Sequence, residues 1–84
     1  MQLLREETTV DQTARKKTVH CVYAALLERG YRPVNQLTGY ILTGDPTYIT
    51  NHKGARQMIA NIDRYELLRD LLNGYFAGET GDRP

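Results

Sequence analysis

Four segments of this chain repeat their apolar residues with the period of an α-helix, and glycine, proline or a capping residue separates them. The clearest repeat places five residues on one helix face, at i, i+3, i+4, i+7 and i+8: Val19, Val22, Tyr23, Leu26 and Leu27. No stretch alternates apolar and polar residues cleanly enough to indicate a strand. The sequence therefore predicts an all-α fold, a small compact helical domain of four main helices plus a short helical turn.

Capping residues set the predicted helix boundaries. Helix 1 is expected at about 14–29, with Thr13 as its N-cap, and helix 2 runs from Pro33 to Gly44, because proline suits a first turn and glycine a helix end. The other helical segments each follow a residue that can cap them: the short turn at 46–49 after Asp45, helix 3 at about 52–62 after Thr50 or Asn51, and helix 4 at about 64–77 after Asp63. Gly39 inside helix 2 is expected to let another backbone approach closely.

The chain has 84 residues, which limits it to one domain. A domain of this size buries only roughly 60–65% of the surface that its unfolded chain exposes, so the core is thin. Residues 1–12 are rich in acidic residues and threonine without a sustained apolar period, and we expect a flexible N-terminal arm there. The single helical domain is expected at 13–78, followed by a disordered C-terminal tail at 79–84.

Helices 2 and 4 carry more apolar surface than one small core can cover. Their large apolar residues spread over about 200° and 180° of the helix circumference, whereas a surface helix needs little more than about 100°. Either one helix is buried centrally in its own bundle, or the surplus surface forms a homodimer interface. The candidate interface residues are Leu37, Tyr40, Ile41, Leu68, Leu71, Leu72 and Tyr75.

Composition argues against catalytic and metal chemistry. The chain has no serine and a single cysteine, and His20 and Cys21 are adjacent, so they point to different helix faces. No metal-ligand spacing is present, and Cys21 is expected to be a small buried hydrophobe. We expect no enzyme and no cofactor. The net charge is +1 and no apolar run approaches the length of a membrane span, so a cytoplasmic protein without membrane insertion is expected.

Arg15, Lys16 and Lys17 form a compact basic cluster in the first turn of predicted helix 1. Cations there oppose the positive end of the helix dipole. The cluster is either a solvated helix end or, together with Lys53, a contact to nucleic acid. Helix 3 lacks the basic stripe expected of a DNA-reading helix, so nucleic-acid binding is kept only as the alternative function.

The segment 30–56 contains, in order, the patterns GY-x-P-x-NQ, GY, GDP-x-YI and H-x-x-AR. With these patterns it resembles the IreB-type regulatory phosphoprotein family of Gram-positive bacteria, and the likeness extends over about residues 18–78. Within this block, Pro33, Gly44, Asp45 and Pro46 each suit a helix boundary. We therefore expect the block to serve the architecture of the fold rather than catalysis.

The resemblance implies a non-enzymatic homodimer that is a substrate of a membrane-anchored Ser/Thr kinase with extracellular PASTA repeats and of its cognate phosphatase. It also implies a role in cell-envelope stress and antibiotic tolerance. The family's phosphoacceptor context matches Thr9, and next Thr8, in the predicted arm. We hypothesise that the phosphate docks on the free N–H groups at the start of helix 1, beside Arg15, Lys16 and Lys17. A purely structural assembly subunit is a further alternative.

Overall fold

The computed structural model describes the backbone of residues 2–78 and the side chains of residues 12–78. Four α-helices and two 3-10 turns follow one another: α1 (Gln2–Glu28), α2 (Pro33–Thr43), η1 (Pro46–Tyr48), η2 (His52–Gly54), α3 (Ala55–Ala60) and α4 (Arg64–Tyr75). No strand occurs between residues 2 and 78, so the predicted all-α fold with four main helices is confirmed. The predicted tail at 79–84 lies outside the described residues.

Helix α1 is longer than its apolar repeat predicts. It begins at Gln2 and runs for 27 residues to Glu28, so the predicted start near residue 14 and the N-cap role of Thr13 are wrong. The reason is that no glycine or proline interrupts residues 2–28, and Leu, Arg, Glu and Gln are good helix formers. The backbone of residues 2–12 therefore continues α1, while the mobility expected of this segment stays a prediction.

Both boundaries of α2 and the start of α4 follow their capping residues as predicted, whereas α4 ends at Tyr75, before the expected end at about residue 77. Pro33 is the first residue of α2, and Gly44 closes it in the left-handed conformation with a φ of 77°. The Gly44 N–H donates to the carbonyl oxygen of Tyr40 over 2.7 Å. At the start of α4, the Asp63 carboxylate accepts a hydrogen bond of 3.1 Å from the N–H of Glu66. Both ends are thus closed by groups that the sequence places there.

The predicted helix at 52–62 is broken near its start. Lys53 and Gly54 have φ values of 55° and 73°, so the first turn is the separate segment η2 and the α-helix proper, α3, covers six residues. Of the two proposed caps, Thr50 accepts a hydrogen bond of 3.1 Å from the N–H of His52, and Asn51 makes no side-chain capping bond. The prediction missed the kink because lysine rarely adopts the left-handed conformation.

The core is small and lies between α1, α2 and α3. Its eight buried apolar residues are Val22, Ala25, Leu26, Tyr40, Ile49, Ala55, Ile59 and Leu67. Ile49, from the connection between η1 and η2, is fully buried. Leu67 is the buried residue of α4. Among the four α-helices, α4 therefore contributes the fewest residues to the core and to the partly buried apolar residues packed against it.

An aromatic ring approaches Gly39 in the middle of α2. A Cβ built on Gly39 would lie 2.6 Å from Cζ of Tyr48, which is closer than real Cβ contacts come. The expected close approach at Gly39 is therefore real, but the approaching group is the side chain of Tyr48 rather than a second backbone. The contact fixes η1 against α2.

Hydrogen bonds also stabilise η1 and hold it against α2. The Asp45 carboxylate accepts from the N–H of Thr47 at 3.0 Å and from its hydroxyl at 2.8 Å, which makes Asp45 the predicted cap of η1. The Gln36 amide donates to the carbonyl oxygen of Tyr48 over 2.9 Å. The block at 30–56 thus holds a tight loop between α2 and α3.

Two arginines donate hydrogen bonds to backbone carbonyl groups, one in this loop and one in α2. Arg56 Nε donates to the carbonyl oxygen of Ile49 over 2.9 Å, and Arg64 Nη1 donates to that of Ile41 over 2.7 Å. Arg64 starts α4 and Ile41 belongs to the last turn of α2, so this bond ties the two helices together.

Candidate functional site

Helix α4 presents a broad apolar face to solvent. Six of its large apolar or aromatic residues, counting Phe76 just after its end, are between 41% and 80% exposed: Tyr65, Leu68, Leu71, Leu72, Tyr75 and Phe76. Phe76 and Tyr75 contact each other edge to face, with ring centroids 4.9 Å apart. A contiguous apolar face of this kind on a small domain indicates an interaction surface.

Helix α2 extends this face. Val34 and Leu42 are 65% and 80% exposed, and Leu37 and Ile41 are partly buried. A shallow apolar cavity of about 140 Å³ between α1, α2 and α4 is lined by Val34, Leu37, Ile41, Leu67 and Leu71, among others. We call the exposed and partly buried apolar residues of this face the α2–α4 surface: Val34, Leu37, Ile41, Leu42, Tyr65, Leu68, Leu71, Leu72, Tyr75 and Phe76.

The predicted interface residues differ in their exposure to solvent. Leu68, Leu71, Leu72 and Tyr75 are exposed on α4, and Leu37 and Ile41 lie partly buried beside them. Tyr40 differs, because it is only 7% exposed and belongs to the core, so it offers almost no surface to a partner. The width of the apolar face cannot separate residues that face the chain's own core from residues that face outward.

Four exposed residues of the surface are not among the predicted interface residues: Val34, Leu42, Tyr65 and Phe76. Val34 and Leu42 stand at the edge of the apolar face of α2, and the breadth of that face was the signal that could have found them. The homodimer itself stays a prediction.

Arg15 connects α1 with α4. Its Nε donates to Oδ2 of Asp70 over 2.5 Å and its Nη2 donates to Oδ1 over 2.9 Å. Glu66 lies 3.9 Å from the same guanidinium group. The side chains of Arg15 and Asp70 are only 14% and 18% exposed, so this bidentate pair is largely shielded from water.

The three proposed phosphate-docking residues therefore differ in whether their charge is already paired. Arg15 is engaged with α4, whereas Lys16 and Lys17 are exposed. All three lie in the interior of α1 rather than in its first turn, so the backbone N–H groups assumed to be free for a phosphate at 14–18 are those of a continuing helix. Docking on a helix start at this position is not compatible with the described backbone. The side chains of Thr8 and Thr9 lie outside the described ones.

A second charged cluster joins η2 to the end of α1. Glu28 contacts His52 Nε2 at 2.8 Å and Lys53 Nζ at 3.1 Å. The hydrogen bond with His52, and then that with Lys53, holds the pKa of Glu28 below its usual range. Lys53 and Arg15 are two of the residues considered above for nucleic-acid binding. Each is paired with a carboxylate, Lys53 with Glu28 and Arg15 with Asp70.

The remaining candidate residues for chemistry are dispersed. Cys21 is exposed, so the prediction that it is buried is wrong. It precedes Val22, which turns towards the core, and a helix rotates by about 100° between neighbouring residues. Among the described residues, no three His, Cys, Asp or Glu side chains gather as metal ligands. Within the same residues, no helix has the length and apolar character that crossing a membrane requires.

Sequence comparison decides the family. A family model described as IreB regulatory phosphoprotein matches residues 2–77. The chain belongs to the IreB family. A relative from Lachnoclostridium phytofermentans, called UPF0297 protein, is 53% identical over 60 residues, which are 71% of this chain and 68% of the relative. The resemblance drawn from the motifs at 30–56 is thereby confirmed.

The family motif residues lie apart from the α2–α4 surface for the most part. Gly39, Gly44, Asp45 and Arg56 form the loop contacts between α2 and α3. This IreB-family chain thus offers two separate features: a loop built by the motif residues, and an apolar surface on α2 and α4. The surface is the better candidate for function, since it leaves apolar side chains in contact with water.

Proposed function

We propose that this IreB-family chain is a small, non-enzymatic regulatory phosphoprotein of the cytoplasm that acts through protein–protein contacts. The observation that carries the proposal is the match of the regulatory phosphoprotein family model to residues 2–77. The exposed apolar α2–α4 surface supports it, because such a surface suits binding to another protein rather than chemistry.

We further propose that a PASTA-type Ser/Thr kinase phosphorylates Thr9, or else Thr8, and that the cognate phosphatase reverses the reaction. The support is the sequence Glu7-Thr8-Thr9-Val10, which matches the acidic-Thr-Val context of the family. Because the chain has no serine, a Ser/Thr kinase can add phosphate only to threonine. Regulation of the cell-envelope stress response or of antibiotic tolerance is the cellular role that the family resemblance supports.

The test uses the purified kinase domain, ATP and the full chain. Intact-mass measurement should show one added phosphate, and fragmentation should place it on Thr9 or Thr8. Thr9→Val and Thr8→Val identify the acceptor, and Thr47→Val, which alters a threonine of the loop at η1, is the matched control. A phosphate on neither arm threonine, or no phosphate at all, contradicts the proposal.

The cellular role needs a separate experiment. A strain that lacks the protein should change its growth in the presence of a cell-wall antibiotic, and the wild-type chain should restore the original growth. The variant without the identified acceptor threonine should restore it differently from wild type. Equal behaviour of the two complemented strains would show that phosphorylation does not regulate this role.

A homodimer built on the α2–α4 surface is the third part of the proposal. The support is that α4 keeps Leu68, Leu71 and Leu72 between 43% and 48% exposed in the single chain. In a two-fold symmetric dimer, the same face of a second copy can cover these side chains.

A further inference from the structure

The ion pair between Arg15 and Asp70 holds α4 to α1, and a cleft lies on either side of it. The bidentate contact between Arg15 and Asp70 joins residues 55 positions apart. On one side of it lies a cleft of about 700 Å³ that Arg15, Glu66 and Arg69 help to line, and on the other a cleft of about 400 Å³ lined in part by Lys16 and Leu71. Packing is thus incomplete on both sides of the pair.

The position of α4 consequently depends strongly on Arg15. Leu67 is the residue that α4 contributes to the described core, and the hydrogen bond from Arg64 holds only its first turn. Asp70 lies in the middle of α4, between Leu67 and the exposed end of the helix at Tyr75. Release of Asp70 would leave the second half of α4, and with it much of the α2–α4 surface, without this anchor.

Arg15 lies on the same helix as Thr8 and Thr9, the two proposed phosphoacceptors. Helix α1 is continuous from Gln2 to Glu28, so Thr9 and Arg15 lie six residues apart on one helix. Segment 2–12 is acidic, with Glu6, Glu7 and Asp11 against Arg5.

We propose that a phosphate on Thr9, or on Thr8, releases α4 from α1 by drawing Arg15 away from Asp70. This proposal rests on the phosphorylation argued under the proposed function and adds the element through which it acts.

The first step is a local loss of helix. Thr9 is inside α1 rather than at its first turn, and it stands three positions after Glu6, while Thr8 stands three positions before Asp11. Like charges three or four positions apart destabilise a helix, and a phosphate carries about −1.5 to −2 charges at neutral pH. Arg5 stands four positions before Thr9 and offsets part of this repulsion, so we expect the phosphate to raise the fraction of molecules in which the start of α1 is unwound rather than to abolish the helix.

The second step is competition for the guanidinium group. Once the segment is unwound, six residues can span up to about 20 Å, which brings the phosphate to Arg15. A phosphate offers three acceptor oxygens and binds arginine in the same bidentate manner as a carboxylate. Asp70 lines the cleft of about 400 Å³, so its carboxylate can be hydrated after Arg15 has left.

The phosphoprotein for the test can be made without a kinase. Cys21 is the single cysteine of the chain and is exposed on α1. Ligation of a synthetic 1–20 thioester peptide to a 21–84 fragment with Cys21 at its N-terminus restores the native peptide bond and the full chain. The peptide is prepared with threonine or phosphothreonine at position 9, and in a second pair at position 8.

Hydrogen exchange of the α4 amides then reports its release. With phosphothreonine, the amides at 70–76 should exchange about tenfold faster than in the unmodified protein at the same concentration, because they open more often. Asp70→Asn, which keeps the shape but removes the charge, should give the same increase without phosphate. Arg69→Gln removes a neighbouring charge on α4 and should leave exchange unchanged.

Three results would overturn the proposal. Equal exchange of α4 with and without phosphate excludes release. Wild-type exchange in Asp70→Asn excludes the ion pair as the anchor. If phosphate accelerates exchange in Asp70→Asn as much as in wild type, the effect does not pass through Arg15. Because the phosphoprotein is synthetic, failure of the kinase to modify the arm is a separate result that contradicts the proposed function alone.

Discussion

The ring of Tyr48 occupies the space that a side chain on Gly39 would need, since a Cβ there would lie 2.6 Å from Tyr48 Cζ. This contact joins the middle of α2 to η1 and explains a glycine that would otherwise only weaken the helix. Glycine inside a helix is destabilising by roughly 0.5–1 kcal/mol relative to alanine, so the close contact offsets a cost in local propensity.

Gly39→Ala should therefore destabilise the protein in spite of the better helix propensity of alanine. Overpacking against Tyr48 costs about 1–3 kcal/mol, and we expect a net loss of about 1–2 kcal/mol in the free energy of unfolding measured with urea. In the background Tyr48→Ala, where the ring is absent, the same substitution should become neutral or stabilising. An additive double mutant would show that the ring does not limit position 39.

Lys53→Gly should stabilise the protein relative to Lys53→Ala. Lys53 has a φ of 55°, and the left-handed conformation costs a residue with a Cβ roughly 1–2 kcal/mol. Both variants lose the ion pair with Glu28 to the same extent, so their difference isolates the backbone. We expect the glycine variant to unfold at a higher urea concentration, and equal midpoints would show that position 53 is not strained.

Asp45 should stabilise the protein in a pH-dependent manner. Its hydrogen bonds from the N–H and then the hydroxyl of Thr47 hold the pKa of Asp45 below its usual range. A lowered pKa in the folded state means that the stabilisation is present above the pKa of the unfolded chain and is lost as the pH falls through the folded pKa.

Asp45→Asn provides the matched comparison, because asparagine is also a good N-cap but does not titrate. The thermal midpoint of wild type should exceed that of Asp45→Asn near pH 7, and the difference should shrink as the pH falls below about 4. Asp45→Ala should be the least stable variant at neutral pH. A difference between wild type and Asp45→Asn that is independent of pH would contradict the hydrogen-bonded carboxylate.

The sequence was most informative where a single residue ends a helix. Pro33, Gly44 and Asp63 mark their boundaries because each has a backbone or capping property that acts locally. The early start of α1 was missed since residues 2–12 lack an apolar repeat, yet a helix needs only the absence of a breaker to continue from a stable segment.

Contacts between distant residues could not be read in the same way. The pair of Arg15 and Asp70 joins residues 55 positions apart, and no spacing rule connects them. The burial of Tyr40 has the same origin: an apolar residue on a broad face turns to the core or to solvent according to the packing of other helices. The sequence therefore indicates which helices carry the candidate surface, but it does not indicate which of their residues are exposed.

The last prediction concerns the α2–α4 surface. Leu72 is 48% exposed on α4, so Leu72→Asp should leave the single chain folded but place a carboxylate in the proposed homodimer interface. A charge buried there without a partner is costly, and the variant should sediment as a monomer at a concentration of about 100 μM, where a dimer held by a micromolar dissociation constant is fully formed.

Leu27→Asp is the matched control for this experiment. Leu27 is a leucine of similar exposure, 55%, but lies on α1 outside the α2–α4 surface, so this variant should remain a dimer. Circular dichroism should show equal helix content for both variants, because neither side chain is part of the buried core. If wild type itself sediments as a monomer, the homodimer is excluded. If Leu72→Asp remains a dimer while Leu27→Asp dissociates, the interface involves α1 instead, because the charge then disrupts the contact only there.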